Sequence, residues 1–369
     1  MIAGHATAEG TARYVASQTE RTSAAHFREF PGGVRASSIG LGTYLGREDA
    51  ATDSLYERAI ARALERGINV LDSAINYRHQ RSERAIGRAL AACIARGIVA
   101  RESVVVTTKG GYLAFDGEAP PDPRAYVSAT YVQPGIVRAG EVVGWHCMTP
   151  RFLADQLERS RANLGVDTID VYYLHNPETQ LDEVERPAFL ERLRSAFGAL
   201  EEAVHASRIR WYGSATWNGF RAAPQERNHL SLAEVLAAAR DAGGADHHFR
   251  VVQLPYNLAM PEAFTLANQP ADAGLVPMLR ATEHARVYVM ASAPMMQGQL
   301  AQGLPPELGT TLAGLSSDAQ RALQFVRTTP GVGTALVGMK SGAHVDENAT
   351  LAATPPVPWE QFQRLFTAA

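Results

Sequence analysis

From residue 38 onward, short apolar runs alternate with amphipathic stretches along this chain. Val104-Val105-Val106 is continuous and β-branched, and it leads through Thr107-Thr108 to Lys109. An unbroken apolar run of this kind suits a strand buried on both faces, as in a parallel sheet. Comparable runs occupy residues 38–42, 68–71, 169–174, 209–214, 250–253, 287–290 and 333–338. Between them, residues 50–66 carry Leu55, Ala59 and Ala63 at helical spacing, with Gly67 past the end as a C-terminal stop. Residues 82–95 form a second such stretch, opened by Ser82. Thr149-Pro150 is an N-cap and first-turn proline that starts another. Ser231-Leu232-Ala233-Glu234 is a capping box for a helix to residue 242. Further helices are predicted over 188–206, 271–284 and 316–328. Eight strand–helix alternations with short connections predict an α/β fold, a closed (β/α)8 TIM barrel. An open doubly wound sheet would favour a Gly-x-Gly-x-x-Gly fingerprint after the first strand, and Gly40, Gly42 and Gly46 have other spacings.

Three segments stand outside the alternation. Residues 1–25 are polar and rich in Ala, Thr and Ser, and read as a loosely held N-terminal arm preceding a single barrel domain over 26–369. Residues 27–35 read as a hairpin turning at Gly32-Gly33. Residues 110–148, after the third strand, are rich in Pro and Gly and lack periodicity. A loop this long inside a compact domain is functional or disordered, and its Tyr112, Phe115, Tyr126, Tyr131 and Trp145 argue against disorder. It leaves from the mouth of the barrel, where it would roof a substrate pocket; the other readings are a surface excursion or an oligomer contact.

Composition narrows the class. With 46% apolar and 20% charged residues in 369, the chain has ample material for a core. A net charge of −3 gives no reason to expect nucleic acid or an acidic membrane as partner. No run approaches the roughly 20 apolar residues of a membrane helix. Residues 1–22 do not have the form of a signal peptide, so a cytoplasmic location is expected. Cys93 and Cys147 are too few for a disulfide framework. His146-Cys147 has no companion pair at ligand spacing, so no metal site is expected.

The candidate chemistry sits where the runs end. Residues 68–71 are followed by Asp72 and then Tyr77, 104–108 by Lys109, and 169–174 by His175. In a (β/α)8 barrel these ends open onto one face. An ammonium beside a phenol favours the phenolate and lowers its pKa from about 10. A carboxylate keeps the ammonium charged, and a neutral imidazole can hold a carbonyl oxygen. Together the four would stabilise negative charge growing on that oxygen. The electrons must come from a cofactor, since no side chain supplies hydride. Singly, each residue has a plain alternative as loop cap, packing group, solvated charge or turn cap.

These segments resemble the aldo-keto reductase family. Gly67-Ile68-Asn69-Val70-Leu71-Asp72-Ser73-Ala74 with Tyr77, Glu83 and Gly87 is similar to its first signature, and Gly40-Leu41-Gly42-Thr43 to its first strand. Thr108-Lys109 resembles its catalytic lysine, and Tyr173-Leu174-His175-Asn176-Pro177 its histidine strand. The resemblance spans roughly residues 27–352. It implies NADP(H), bound extended without a Rossmann domain, and Asp72, Tyr77, Lys109 and His175 as catalytic tetrad, with Tyr77 the general acid in reduction. Implied cofactor contacts are Gly42, Thr43, Ser214, Thr216, Gln253, Ser292, Gly298, Lys340, Ser341, His344, Glu347 and Asn348. Lys340 with a hydroxyl and a helix N-terminus would make a 2′-phosphate site, favouring NADP(H) over NAD(H). Candidate substrate contacts are Tyr44, Tyr112, Trp145, Asn176 and Trp217.

Two departures concern the nicotinamide. The family's Ser-Asn pair is Ala215-Thr216 here, and its stacking tyrosine falls at Ser292. Trp217 or Tyr256 is a candidate replacement for that tyrosine. The expected activity is NADP(H)-dependent interconversion of a carbonyl and an alcohol. Two rivals are an NADP(H)-binding redox sensor with little turnover and a metal-dependent barrel isomerase or lyase. The second would need clustered carboxylates and histidines at strand ends. Substrate, physiological direction and oligomeric state are beyond the sequence.

Overall fold

In the computed structural model, which describes residues 1–138 and 140–366, eight parallel strands close into a barrel. The chain begins with helix α1 (Ala8–Gln18) and an antiparallel hairpin, β1 (Phe27–Phe30) with β2 (Val34–Ser37). Gly32 and Gly33 supply the positive φ values of its turn, 73° and 75°. Strand β3 (Ile39–Gly42), α2 (Ala50–Glu65), β4 (Val70–Asp72), α3 (Arg81–Ala95) and β5 (Val105–Gly110) follow. The long segment holds α4 (Pro123–Val127) before α5 (Pro150–Leu164). Then come β6 (Ile169–His175), α6 (Arg186–His205), β7 (Ile209–Ala215), α7 (Leu232–Gly243) and β8 (Phe249–Pro255). A short turn α8 (Glu262–Thr265), a hairpin of β9 (Ala267–Ala271) and β10 (Gly274–Pro277), and α9 (Met278–Ala285) lead to β11 (Tyr288–Ser292). The chain ends its described course through α10 (Leu308–Thr311), α11 (Asp318–Thr328), β12 (Thr334–Gly338), α12 (Gly342–Ala349) and α13 (Trp359–Phe362). Around the barrel the order is β3-β4-β5-β6-β7-β8-β11-β12, and β12 closes on β3.

Alternation along each strand decides what enters the barrel. Val70, Val105, Val171, Tyr173, Val251, Met290 and Leu336 form one buried cluster inside. Their neighbours Leu71, Val106, Tyr172, Leu174, Val252 and Val337 belong to the larger core beneath the helices. Two residues beyond Val70 lies Asp72; Lys109 is four beyond Val105, and His175 four beyond Val171. All three therefore point inward at the C-terminal mouth.

Four expectations are corrected. Residues 1–25 are not loosely held. Thr7 caps α1 through Gly10 N–H, Tyr14 is buried and donates to the Leu64 carbonyl at 2.6 Å, and Ala6 N–H donates to Asp170 Oδ1 at 2.6 Å. The anchor is tertiary, so local composition does not reveal it. The helix predicted over 271–284 starts only at Met278, because Pro277 cannot lie inside a helix and the residues before it pair as β9 and β10. Ser82 caps nothing; its hydroxyl donates to the Thr43 carbonyl at 2.7 Å, and α3 is preceded by Gln80 at φ 70°. Thr149 makes no side-chain cap bond, although Pro150 does occupy the first turn.

The long segment after β5 packs Leu113, Tyr131, Val137 and Cys147 into a small separate core with Phe152 of α5. Its two ends run back to back: Leu113 N–H donates to the Trp145 carbonyl and Cys147 N–H to the Gly111 carbonyl.

Candidate active site

Asp72, at the end of β4, is the hub of a buried polar cluster. Its Oδ2 accepts from Lys109 Nζ at 2.7 Å, and its Oδ1 from Thr107 Oγ1 at 2.8 Å and Gln253 Nε2 at 2.9 Å. Lys109 also donates to the Ser73 carbonyl at 2.7 Å and is only 1% exposed. Its Nζ stands 4.8 Å from the centroid of the Tyr77 ring. The Tyr77 ring meets His175 edge-on at 5.9 Å and Tyr44 at 4.9 Å. Acid, amine, phenol and imidazole, delivered by separate elements, therefore meet at one place.

Burial sets their protonation. It pushes the Tyr77 phenol above its ordinary pKa; Lys109 opposes and Asp72 adds to the rise. Lys109 does lower this pKa, as the sequence led one to expect, but the desolvation of the phenolate outweighs the ammonium, so the net shift is upward. Burial also works to lower the Lys109 pKa, but Asp72 and Tyr77 outweigh it, and the ammonium is held above its ordinary range. Burial, then the Lys109 charge, keep the His175 imidazole well below its ordinary pKa and therefore neutral. Its Nδ1 is buried and without a hydrogen-bond partner. A proton on Nδ1 would be an unsatisfied buried donor, so the arrangement favours the proton on Nε2.

The cluster opens into a cavity of about 710 Å³. Of the residues the sequence nominated, Gly42, Thr43, Tyr44, Asp72, Tyr77, Tyr112, His175, Asn176, Thr216, Trp217, Gln253, Ser292, Gly298, Lys340, His344, Glu347 and Asn348 line it. Four expected residues do not; the first, Lys109, is buried and joins the site through its bond to Asp72. Ser214 is buried on the helix-facing side of β7, while Ala215 belongs to the barrel interior. Ser341 spends its hydroxyl on capping α12 through His344 N–H. Trp145 sits half-exposed against Phe115, away from the cavity.

Residues 38–368 match the model of the Aldo/keto reductase family. The chain belongs to that family. The curated relative Aldo-keto reductase AMT2 of Alternaria alternata is 29% identical over 156 residues, which cover 42% of this chain and 38% of AMT2. The match thus spans little more than a third of that relative's length. An aldo/keto reductase from Klebsiella pneumoniae, solved in complex with NADP and acetate, superposes with a TM-score of 0.62 at 21% identity, covering 93% of this chain and 95% of the other. The glycerol dehydrogenase AKR11B4 from Gluconobacter oxydans gives 0.65 at 18% identity, covering 94% and 95%. At these identities the likeness is one of fold.

Within this aldo/keto reductase, the departures around residues 215 and 292 can be located. Ala215 and Ser292 both line the cavity. Tyr256 cannot take over a stacking role there: it is fully buried, stacked on Phe325 and bonded to Thr329 Oγ1. Trp217 does line the cavity, and three backbone N–H groups at 217, 218 and 219 donate to Glu178 Oε1, fixing its loop. Sequence reasoning missed Glu178, whose buried carboxylate holds that turn. It also missed Asn76, which lines the cavity with Oδ1 buried and unpartnered. Neither has a periodic signal; only their place next to Pro177 and Tyr77 could have drawn attention.

Proposed function

We propose that this aldo/keto reductase uses NADP(H) to interconvert a carbonyl compound and its alcohol, with Tyr77 as general acid in reduction and general base in oxidation. The observation that carries the reading is the continuity of one cavity from the Asp72–Lys109–Tyr77–His175 cluster to Lys340, His344 and Asn348. The residues suit a dinucleotide. Thr216 Oγ1 and Asn348 Oδ1 are buried, face the cavity and have no protein partner, which is the state of polar groups awaiting a ligand. Thr216 and Gln253 would hold the carboxamide end, and Lys340 the 2′-phosphate. When bound, NADPH supplies the hydride that no side chain here can give.

The protein's own part is electrostatic and protonic. His175, neutral with its proton on Nε2, orients the substrate carbonyl oxygen. Tyr77, kept protonated by burial, donates its proton to that oxygen as charge develops. Lys109 stabilises the phenolate left behind, and Asp72, held by three donors, keeps Lys109 charged and in place.

Titration of the purified protein with NADPH and NADH, followed by fluorescence, tests the cofactor. Tight NADPH and weak NADH binding are expected, and Lys340→Ala should weaken the first far more than the second. In Tyr77→Phe, NADPH binding should persist while turnover of a responsive carbonyl drops by roughly 10²-fold or more. Near-normal turnover would remove Tyr77 from the role, and tight cofactor binding with no turnover across a broad carbonyl panel would favour a redox sensor.

A further inference from the structure

We propose that His146, in the long segment after β5, is a positioning residue for His175. His146 is fully buried, and both ring nitrogens are engaged. Nε2 pairs with the backbone carbonyl of His175 at 2.8 Å, and Nδ1 with Gln180 Nε2 at 2.8 Å. An amide nitrogen can only donate, so Nδ1 accepts and Nε2 carries the proton that reaches the His175 carbonyl. The Gln180 amide is itself held in this orientation, because its Oε1 accepts from Arg192 Nη1 and its Nε2 also donates to the His146 carbonyl at 3.1 Å. A chain of fixed polarity thus runs from Arg192 on α6 through Gln180 and His146 to the last residue of β6.

A second contact reaches the imidazole itself. The Tyr112 ring is edge-on to His146 at 5.2 Å and to His175 at 5.1 Å, filling the space between them. Tyr112 is held at its hydroxyl by Asn176 Nδ2 at 3.2 Å and by Thr179 Oγ1 at 3.1 Å, and at its carbonyl by Gln156 Nε2 at 2.6 Å. The backbone is shaped to admit the arrangement. Gly111 lies at φ 139°, and a Cβ there would stand 2.7 Å from His146 Nε2 and 3.1 Å from the His175 carbonyl oxygen. After His175 the chain turns sharply at Asn176, whose φ is 45°. With Nδ1 of His175 lacking any partner, no hydrogen bond at that nitrogen fixes the direction of the ring. The His146 bond to the backbone and the Tyr112 wall set it instead, where His175 lines the cavity. The paired ends of the 110–148 segment are therefore a clamp on the imidazole as well as a wall of the pocket.

The activity arm of the test rests on the carbonyl-reducing reading; the resonance arm does not. His146→Phe keeps the ring against Tyr112 and removes both hydrogen bonds. NADPH affinity should stay unchanged while kcat falls about tenfold or more, since displacements of about 1 Å in a reacting geometry cost rate on that scale. KM should change less than kcat, because a bond to the carbonyl oxygen strengthens as charge builds on it. His146→Gln, which can return a donor to the His175 carbonyl, should restore most of kcat. Nitrogen-15 imidazole spectra, with His175 assigned by its loss in His175→Asn, should show a single Nε2-protonated form in the parent protein and a mixture of tautomers in His146→Phe. Wild-type kcat or unchanged His175 signals in His146→Phe would overturn the proposal, as would a Gln variant no better than Phe. If His146→Phe fails to fold, Gln180→Met, which leaves His146 in place but releases its Nδ1, must shift the same signals. Absence of turnover in the parent protein with every carbonyl tried would defeat the functional reading and leave the His175 spectra to decide the role of His146.

Discussion

Lys109 and Asp72 are each other's only opposite charge in the buried hub, with side chains 1% and 6% exposed. Removing one partner of such a pair strands the other. Lys109→Met should therefore destabilise the fold by about 3–5 kcal/mol, with turnover lost as well. Adding Asp72→Asn should recover much of the stability and none of the activity; urea unfolding of the single and double variants checks this. The direction of the Tyr77 shift gives a second test. In the proposed mechanism reduction needs the protonated phenol, and burial keeps it protonated beyond its ordinary range. The rate of reduction should therefore be level from pH 7 to about 9 and fall only near or above about 10. Oxidation, which needs the phenolate, should rise over the same range. An acidic fall-off in reduction instead would assign the proton to another group.

Among the elements, α3 shows how the site is braced from outside. Glu83, buried in α3, accepts from Thr108 Oγ1 on β5 at 2.6 Å and from Asn163 Nδ2 on α5 at 2.8 Å. Thr108 is the neighbour of Lys109, so this carboxylate ties the lysine's strand to two helices. One turn on, Gly87 lets α3 approach the end of α5: a Cβ there would lie 2.7 Å from the carbonyl oxygens of Asn163 and Leu164. Both obstacles are backbone and cannot rotate away. Gly87→Ala should cost about 1–3 kcal/mol through overpacking, read as a lower unfolding midpoint with the spectrum of the fold retained. The sequence placed Glu83 and Gly87 in the family's signature; only packing says what they touch. The capping box at Ser231 is a similar case. Ser231 does accept from Glu234 N–H, but the Glu234 carboxylate pairs with Arg186 on α6 instead of returning to the cap.

For the whole molecule, buried neutral histidines contribute to the loss of stability on the acid side. Burial holds His146 down to about 4 and His26 down to about 3, from an ordinary 6.5. Their folded pKa values lie below the unfolded one, so the unfolded chain takes up protons first as pH falls. The stability they contribute is complete above about 6.5 and is lost toward 4 and below. For His146 alone the loss approaches about 3 kcal/mol. Buried Glu83 and Glu178, whose pKa values burial raises, act in the opposite sense over the carboxylate range. Urea midpoints should fall between pH 6.5 and 4, and a flat profile would contradict the neutral assignment of these rings. No helix among the described residues is long and apolar enough to cross a membrane.

The barrel, the strand ends and the inward set Asp72, Lys109 and His175 were legible in the sequence because strand alternation is a local rule. Once the apolar run is seen, every second side chain is committed to the same face. The same rule, carried one residue further, would have turned Ser214 outward. What the tertiary structure decided is everything that depends on where a non-periodic segment goes. Trp145 left the cavity and His146 came to lie against His175, although the two are adjacent in sequence and both looked like loop residues. Ala6, just ahead of α1, found Asp170 beneath the barrel, and Pro277 turned a helical pattern into a hairpin and a shorter helix. The net rise of the Tyr77 pKa belongs with these. A neighbouring charge can be inferred from strand order, but the extent of desolvation exists only once the chain has closed around the phenol.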